Sequence, residues 1–109
     1  MKKIIGIIFS IYLLLIPILS FAQSQATLRG TILDTNEEPL AGANVLLMES
    51  SQGAASDADG RFEIDNIEPG SYTLRITFVG YQTLETDISF ESGEVVDKNF
   101  TLQPRSVVG

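Results

Sequence analysis

The stretch Ser56-Asp57-Ala58-Asp59-Gly60-Arg61-Phe62, "SDADGRF", decides the fold. Two aspartates one residue apart, closed by a glycine, open either a calcium loop or a tight turn with an aromatic strand behind it. A calcium loop of the EF-hand type closes with a glutamate at its twelfth position. Counted from Asp57 that position is Glu68, but Phe62, Ile64 and Ile67 make the intervening stretch a buried strand. Aspartate and glycine tolerate the left-handed backbone that a hairpin turn needs. The turn reading wins, so Asp57, Asp59 and Gly60 are expected as structural residues, with no metal and no cofactor.

Working outward, the same alternation recurs. In "ATLRGTILD" Leu28 and Ile32 share one face against Arg29 and Thr31, and Gly30 inside the strand marks a bulge or a close backbone approach. Asn36, Pro39 and Gly42 break the chain before "ANVLLMES", where Ala43, Val45 and Leu47 share a parity. "RFEIDNI" sets Phe62 and Ile64 against Arg61, Glu63 and Asp65, and Gly70 follows a turn. "SYTLRITFV" is the clearest strand, with Tyr72, Leu74, Ile76 and Phe78 alternating with Thr73, Arg75 and Thr77. Gly80-Tyr81 lets the chain bend into "YQTLETDISFE", and "EVVDKNFTL" carries Val96, Phe100 and Leu102. Short strands recurring about every 8–12 residues, each with one apolar face, predict an all-β sandwich or barrel. With a short strand near Ala55, the count predicts seven strands in a soluble sandwich. The patterning disfavours a membrane barrel, because about eight strands of ~9–11 residues plus turns would need the whole chain.

The chain opens with Lys2 and Lys3 before an uncharged run from Ile4 to Leu19. Ser20-Phe21-Ala22 then offers small residues to a signal peptidase, the three-part pattern of a secretory signal. The run is short of the ~20 residues that a spanning helix needs, and Pro17 interrupts it. Residues 1–22 are therefore expected to be cleaved between Ala22 and Gln23. Residues 23–103 then form one small domain, not itself inserted in the membrane, and 104–109 begin a linker to a further region.

Lys2 and Lys3 are two of the seven basic residues, so the chain from Gln23 to Gly109 retains five against fourteen acids. Such a surface is soluble and poorly matched to nucleic acid. With no cysteine and no histidine, neither a lipoprotein anchor nor a disulfide, a histidine-dependent triad or an ordinary zinc site can be assembled. The acids fall in turns and on outward strand positions, as a solvated face requires. Lys98 shares the parity of Val96 and Phe100, which would allow an internal Lys–Asn cross-link, but lysines are almost never fully buried, so none is expected. "NFT" at Asn99 fits a glycosylation sequon by chance inside a strand.

Three pieces together carry a family resemblance: Pro39-Leu40-Ala41-Gly42-Ala43, Asp59-Gly60-Arg61-Phe62, and Gly70 through Tyr72 running on to Gly80-Tyr81. From Thr27 to Leu102 the chain resembles the carboxypeptidase-regulatory-like domain. The resemblance implies a transthyretin-like, immunoglobulin-like β-sandwich. It also implies a non-catalytic accessory or interaction module. Copies directly behind a signal peptide commonly precede the plug and barrel of TonB-dependent, SusC-like outer-membrane receptors, which import nutrients in Bacteroidetes-like bacteria. On that reading the domain is exported to the periplasm and outer membrane. Its partners are the downstream plug and barrel or other envelope proteins. An accessory domain of a secreted zinc carboxypeptidase and a free-standing surface binder are the alternatives.

Overall fold

The computed structural model describes residues 24–106. The expected signal segment, its Ala22–Gln23 cleavage point and the last three residues lie outside the described residues. Eight strands form: β1 (Ala26–Leu33), β2 (Asn44–Leu47), β3 (Gln52–Ala55), β4 (Arg61–Ile67), β5 (Gly70–Thr77), β6 (Leu84–Phe90), β7 (Val95–Asp97) and β8 (Phe100–Thr101). There is no helix among the described residues.

Two sheets result. In the first, β1 is central, antiparallel to β4 on one side and parallel to β7 and then β8 on the other. The second has the order β3-β2-β5-β6 and is antiparallel throughout. The alternation read from sequence sends Leu28, Ile32, Phe62, Ile64, Phe100 and Leu102 inward from the first sheet, and Val45, Leu47, Leu74, Ile76 and Phe90 from the second. Every buried hydrophobic side chain of this core lies between Ala26 and Leu102, so the core closes within the domain. Burying a side chain such as Leu28 or Ile76 contributes roughly 1.5–3 kcal/mol. The chain is an all-β sandwich, as its patterning requires.

One strand more than seven arises because the last strand is dented. Val95, Val96 and Asp97 pair with Thr27, Leu28 and Arg29, and Phe100 and Thr101 pair with Ile32 and Leu33 in the same register. The dent falls opposite Gly30. A Cβ there would lie 1.8 Å from the Lys98 carbonyl oxygen. The Lys98 amide donates to the Arg29 carbonyl (2.9 Å), and the Asn99 side-chain oxygen accepts the Thr31 amide (3.1 Å). Gly30 is thus a close backbone approach, not a bulge. The dent also turns Lys98 into solvent despite its inward parity, its Nζ 5.8 Å from the Phe100 ring centroid.

The faces of β5 are those expected, but only its middle is sealed. Leu74 and Ile76 are fully buried, whereas Tyr72 and Phe78 pack half-buried against the core edge. Two other expected core aromatics behave differently: Phe62 is buried beside Phe100 (ring centroids 6.3 Å apart), while Tyr81 is half-buried.

Candidate functional site

The turn from Ser56 to Arg61 joins β3 to β4. The Asp57 side chain faces its own loop: Oδ1 accepts the amides of Asp59 and Arg61, each at 2.9 Å. The Asp57 amide donates to the Arg61 carbonyl (2.8 Å), and the Gly60 amide donates back to the Asp57 carbonyl (2.9 Å). Asp59 is exposed and contributes its backbone. Gly60 has φ +76°, and a Cβ on it would meet the Ile32 carbonyl oxygen at 2.7 Å and the Pro39 Cβ at 2.9 Å. Both the conformation and the space demand glycine.

A second loop repeats this design, and sequence reasoning missed it. Asp34 Oδ1 accepts the amides of Asn36 (2.8 Å) and Glu38 (2.9 Å), and the Asp34 amide donates to the Glu38 carbonyl (2.8 Å). Glu37 occupies the station of Gly60, with φ 62°. The shared spacing, Asp-x-Asn-Glu-Glu against Asp-x-Asp-Gly-Arg, was the available signal. The two loops touch: the Ile32 amide donates to the Gly60 carbonyl (2.7 Å), and the Leu40 amide donates to the Ile32 carbonyl (2.9 Å). Pro39 bridges Leu33 and packs against Gly60.

Ser56, also missed, is the one buried polar side chain among the described residues. Its Oγ donates to the Leu40 carbonyl (2.6 Å) and accepts the Ala43 amide (2.9 Å). The Gly42 amide donates to the Ser56 carbonyl (2.9 Å), fixing the loop that enters β2.

At the same end, the β5–β6 connection turns through Val79 and Gly80, the Tyr81 amide donating to the Phe78 carbonyl (3.1 Å). The Phe78 and Tyr81 rings meet edge to face, centroids 5.5 Å apart. The segment expected as linker remains hydrogen-bonded here. Gln82 donates its amide to the Gln103 carbonyl (2.8 Å), Arg105 donates its amide to the Gly80 carbonyl (2.9 Å), and Tyr81 bridges Pro104. Gly42, Phe78, Val79, Gly80, Tyr81 and Arg105 border an open groove of about 480 Å³. Gly70 and Tyr72 lie at the other end of the sandwich. There the Tyr72 hydroxyl donates to the Glu68 carbonyl, and its ring stands edge-on to Phe90 at 5.8 Å. The expected signature residues therefore divide between the loop end, the core and the far hairpin.

Little reactive chemistry is gathered. A second open groove, about 550 Å³, mixes Arg29 and Arg61 with Asp57, Glu63 and Asp97, and Arg29 pairs with Asp97 at 3.3 Å. Among the described residues no three acidic side chains are grouped to hold a metal ion. The Thr73 amide donates to Glu49 Oε1 at 2.7 Å and holds that carboxyl below its ordinary range, against a smaller opposing effect of desolvation.

The class shown by the fold is the all-β sandwich, here with aspartate-capped turns at one end, and the comparisons make that specific. The model of the CarboxypepD_reg-like domain matches residues 28–108, and the chain belongs to that family. It is 30% identical over 89 residues to the TonB-dependent receptor SusC of Bacteroides thetaiotaomicron, covering 82% of this chain and 9% of the receptor. It is 33% identical over 86 residues to the TonB-dependent receptor P39 of Formosa agariphila, covering 79% of this chain and 8% of that receptor. The chain thus spans less than a tenth of these curated relatives. Among solved structures, catechol 1,2-dioxygenase from Pseudomonas arvilla C-1 matches with a TM-score of 0.63 at 18% identity, over 83% of this chain and 55% of that one. That likeness shows the fold alone, since one fold hosts many activities.

Proposed function

We propose that the chain is a non-catalytic accessory module of a TonB-dependent outer-membrane receptor, held in the periplasm ahead of the plug and barrel. One observation carries this reading: two receptors of that class match about four-fifths of this chain with less than a tenth of their own length. The residues support it. The chain has no histidine or cysteine, and the signature aspartate Asp57 is spent on its own loop's amides. The module acts by contact, and transport belongs to the rest of the receptor.

An epitope tag inserted directly after the exposed Ser106, clear of both aspartate-capped loops, tests this in the full-length protein. The tag should fractionate with the outer membrane, resist protease on intact cells, and be cleaved once that membrane is permeabilised. Recovery of the tag in the medium or cytoplasm, or cleavage on intact cells, would contradict the reading.

A further inference from the structure

Sheet edges expose unpaired backbone groups, and proteins ordinarily guard them. Three of the four edges here are guarded by their length or backbone geometry, and the fourth only by charge. β3 has four residues and contains Gly53. On β4, Asn66 leaves the extended conformation (φ 58°), and the Gln52 side-chain amide donates to the Asp65 and Asn66 carbonyls at 3.1 and 3.0 Å. The β7–β8 edge is interrupted by the dent at Lys98 and Asn99. β6 differs. Its seven residues, Leu-Glu-Thr-Asp-Ile-Ser-Phe, include no proline, glycine or lysine, and its register with β5 runs unbroken from Gly70↔Phe90 to Ile76↔Leu84. Among the described residues no strand lies on its outer side.

The free groups can be assigned. The Thr73 carbonyl accepts the Met48 amide (3.0 Å), so Thr73 and its odd-numbered neighbours on β5 direct their backbone groups toward β2. The even-numbered residues of β5 then bond β6, through Leu84, Thr86, Ile88 and Phe90. The amides and carbonyls of Glu85, Asp87 and Ser89 point outward from the sheet edge. Their side chains lie exposed on the outer face, while Leu84 and Ile88 remain half-buried beneath the edge.

We propose that the outer edge of β6 docks an extended strand of a partner protein, one alternating apolar and basic side chains. Apolar residues of that strand cover Leu84 and Ile88, and main-chain groups pair with Glu85, Asp87 and Ser89, as in recognition by strand addition. Charge selects the basic face. Glu85 is paired with Arg75 (3.1 Å), but among the described residues no cation forms an ion pair with Asp87, and Glu91 follows just beyond the strand. A second copy is disfavoured by the same charges. Antiparallel self-pairing centred on Asp87 sets Asp87 against itself; centred on Glu85 it opposes the two Glu85 side chains; centred on Ser89 it sets Asp87 against Glu91. Like charges directly opposite are destabilising. This inference stands apart from the receptor reading, because it rests on the edge alone.

The test uses residues 24–109, whose core is closed within the domain, and a synthetic heptapeptide alternating valine and lysine. Amide NMR shifts should concentrate at Leu84–Phe90, with hydrogen exchange slowed at Glu85, Asp87 and Ser89. Asp87→Lys should weaken binding roughly tenfold, while Asp65→Lys on β4 leaves it unchanged. The matching valine–glutamate peptide should not bind. Equal binding of the acidic peptide, shifts centred elsewhere, no binding of the basic peptide at millimolar concentration, or a concentration-dependent dimer protecting the same three amides would each overturn the proposal.

Discussion

Asp34 stands to the β1–β2 loop as Asp57 stands to the β3–β4 loop: each carboxylate accepts the amides two and four residues further on. The loops are then locked together where Ile32 bonds Gly60 and Pro39 packs on it. A net hydrogen bond contributes about 1 kcal/mol. Asp34→Ala and Asp57→Ala should therefore each lower stability by about 1–2 kcal/mol in urea unfolding. The double variant should depart from additivity, because the two loops share contacts. Full additivity would mean that the loops are independent.

The αL station of the two loops is filled differently, and the consequences should have opposite sign. Glu37 holds φ 62° in open surroundings, where a side chain costs about 1–2 kcal/mol. Glu37→Gly should therefore raise stability by up to about 1 kcal/mol once the entropy cost of glycine is subtracted. Gly60→Ala should lower stability by about 2–5 kcal/mol, adding overpacking against Ile32 and Pro39 to the strained conformation. Thermal unfolding of the two variants checks both signs.

Gly30→Ala should be among the most damaging single substitutions in the domain. The new methyl group would fall 1.8 Å from the Lys98 carbonyl oxygen, which is backbone and cannot swing aside. Parting the β1 and β7–β8 strands costs more than the ~1–3 kcal/mol typical of overpacking, a large share of the ~5–15 kcal/mol that holds a domain together. Thr31→Ala next door should change stability by under about 1 kcal/mol, since its amide, not its side chain, bonds Asn99. Equal losses at the two positions, measured by urea unfolding, would show that the dent opposite Gly30 is not tightly closed.

Much of the fold was legible because period-two patterning is written in single residues. Leu28, Ile32, Leu74 and Ile76 announced their faces, and burial obeyed them. Gly30 was legible as a special position, but not as the cause of the dent, since its neighbour Lys98 is 68 residues away. The dent in turn defeated parity at Lys98 and split the last strand. In the loops, Asp57 is legible because Gly60 holds the αL place after it, whereas Asp34 is not, because Glu37 holds that place. Ser56 was invisible for another reason: its two partners, Leu40 and Ala43, are backbone groups brought near by the loop itself. The contacts of Pro104 and Arg105 with Gly80–Gln82 are not legible for a similar reason, because they join segments distant in sequence.

The proposed accessory role assigns this sandwich to contact within a receptor and leaves transport to the rest of that protein. Deleting residues 26–105 from the full-length protein tests it most directly. The deletion runs through Arg105 because that residue is still bonded to Gly80. The measurement is substrate uptake by cells whose outer membranes are shown to hold equal amounts of intact and shortened receptor. The expected result is a barrel that assembles normally, with uptake impaired or altered. Uptake unchanged at equal receptor levels, or a hydrolytic activity of the purified domain abolished by one carboxylate substitution, would contradict it.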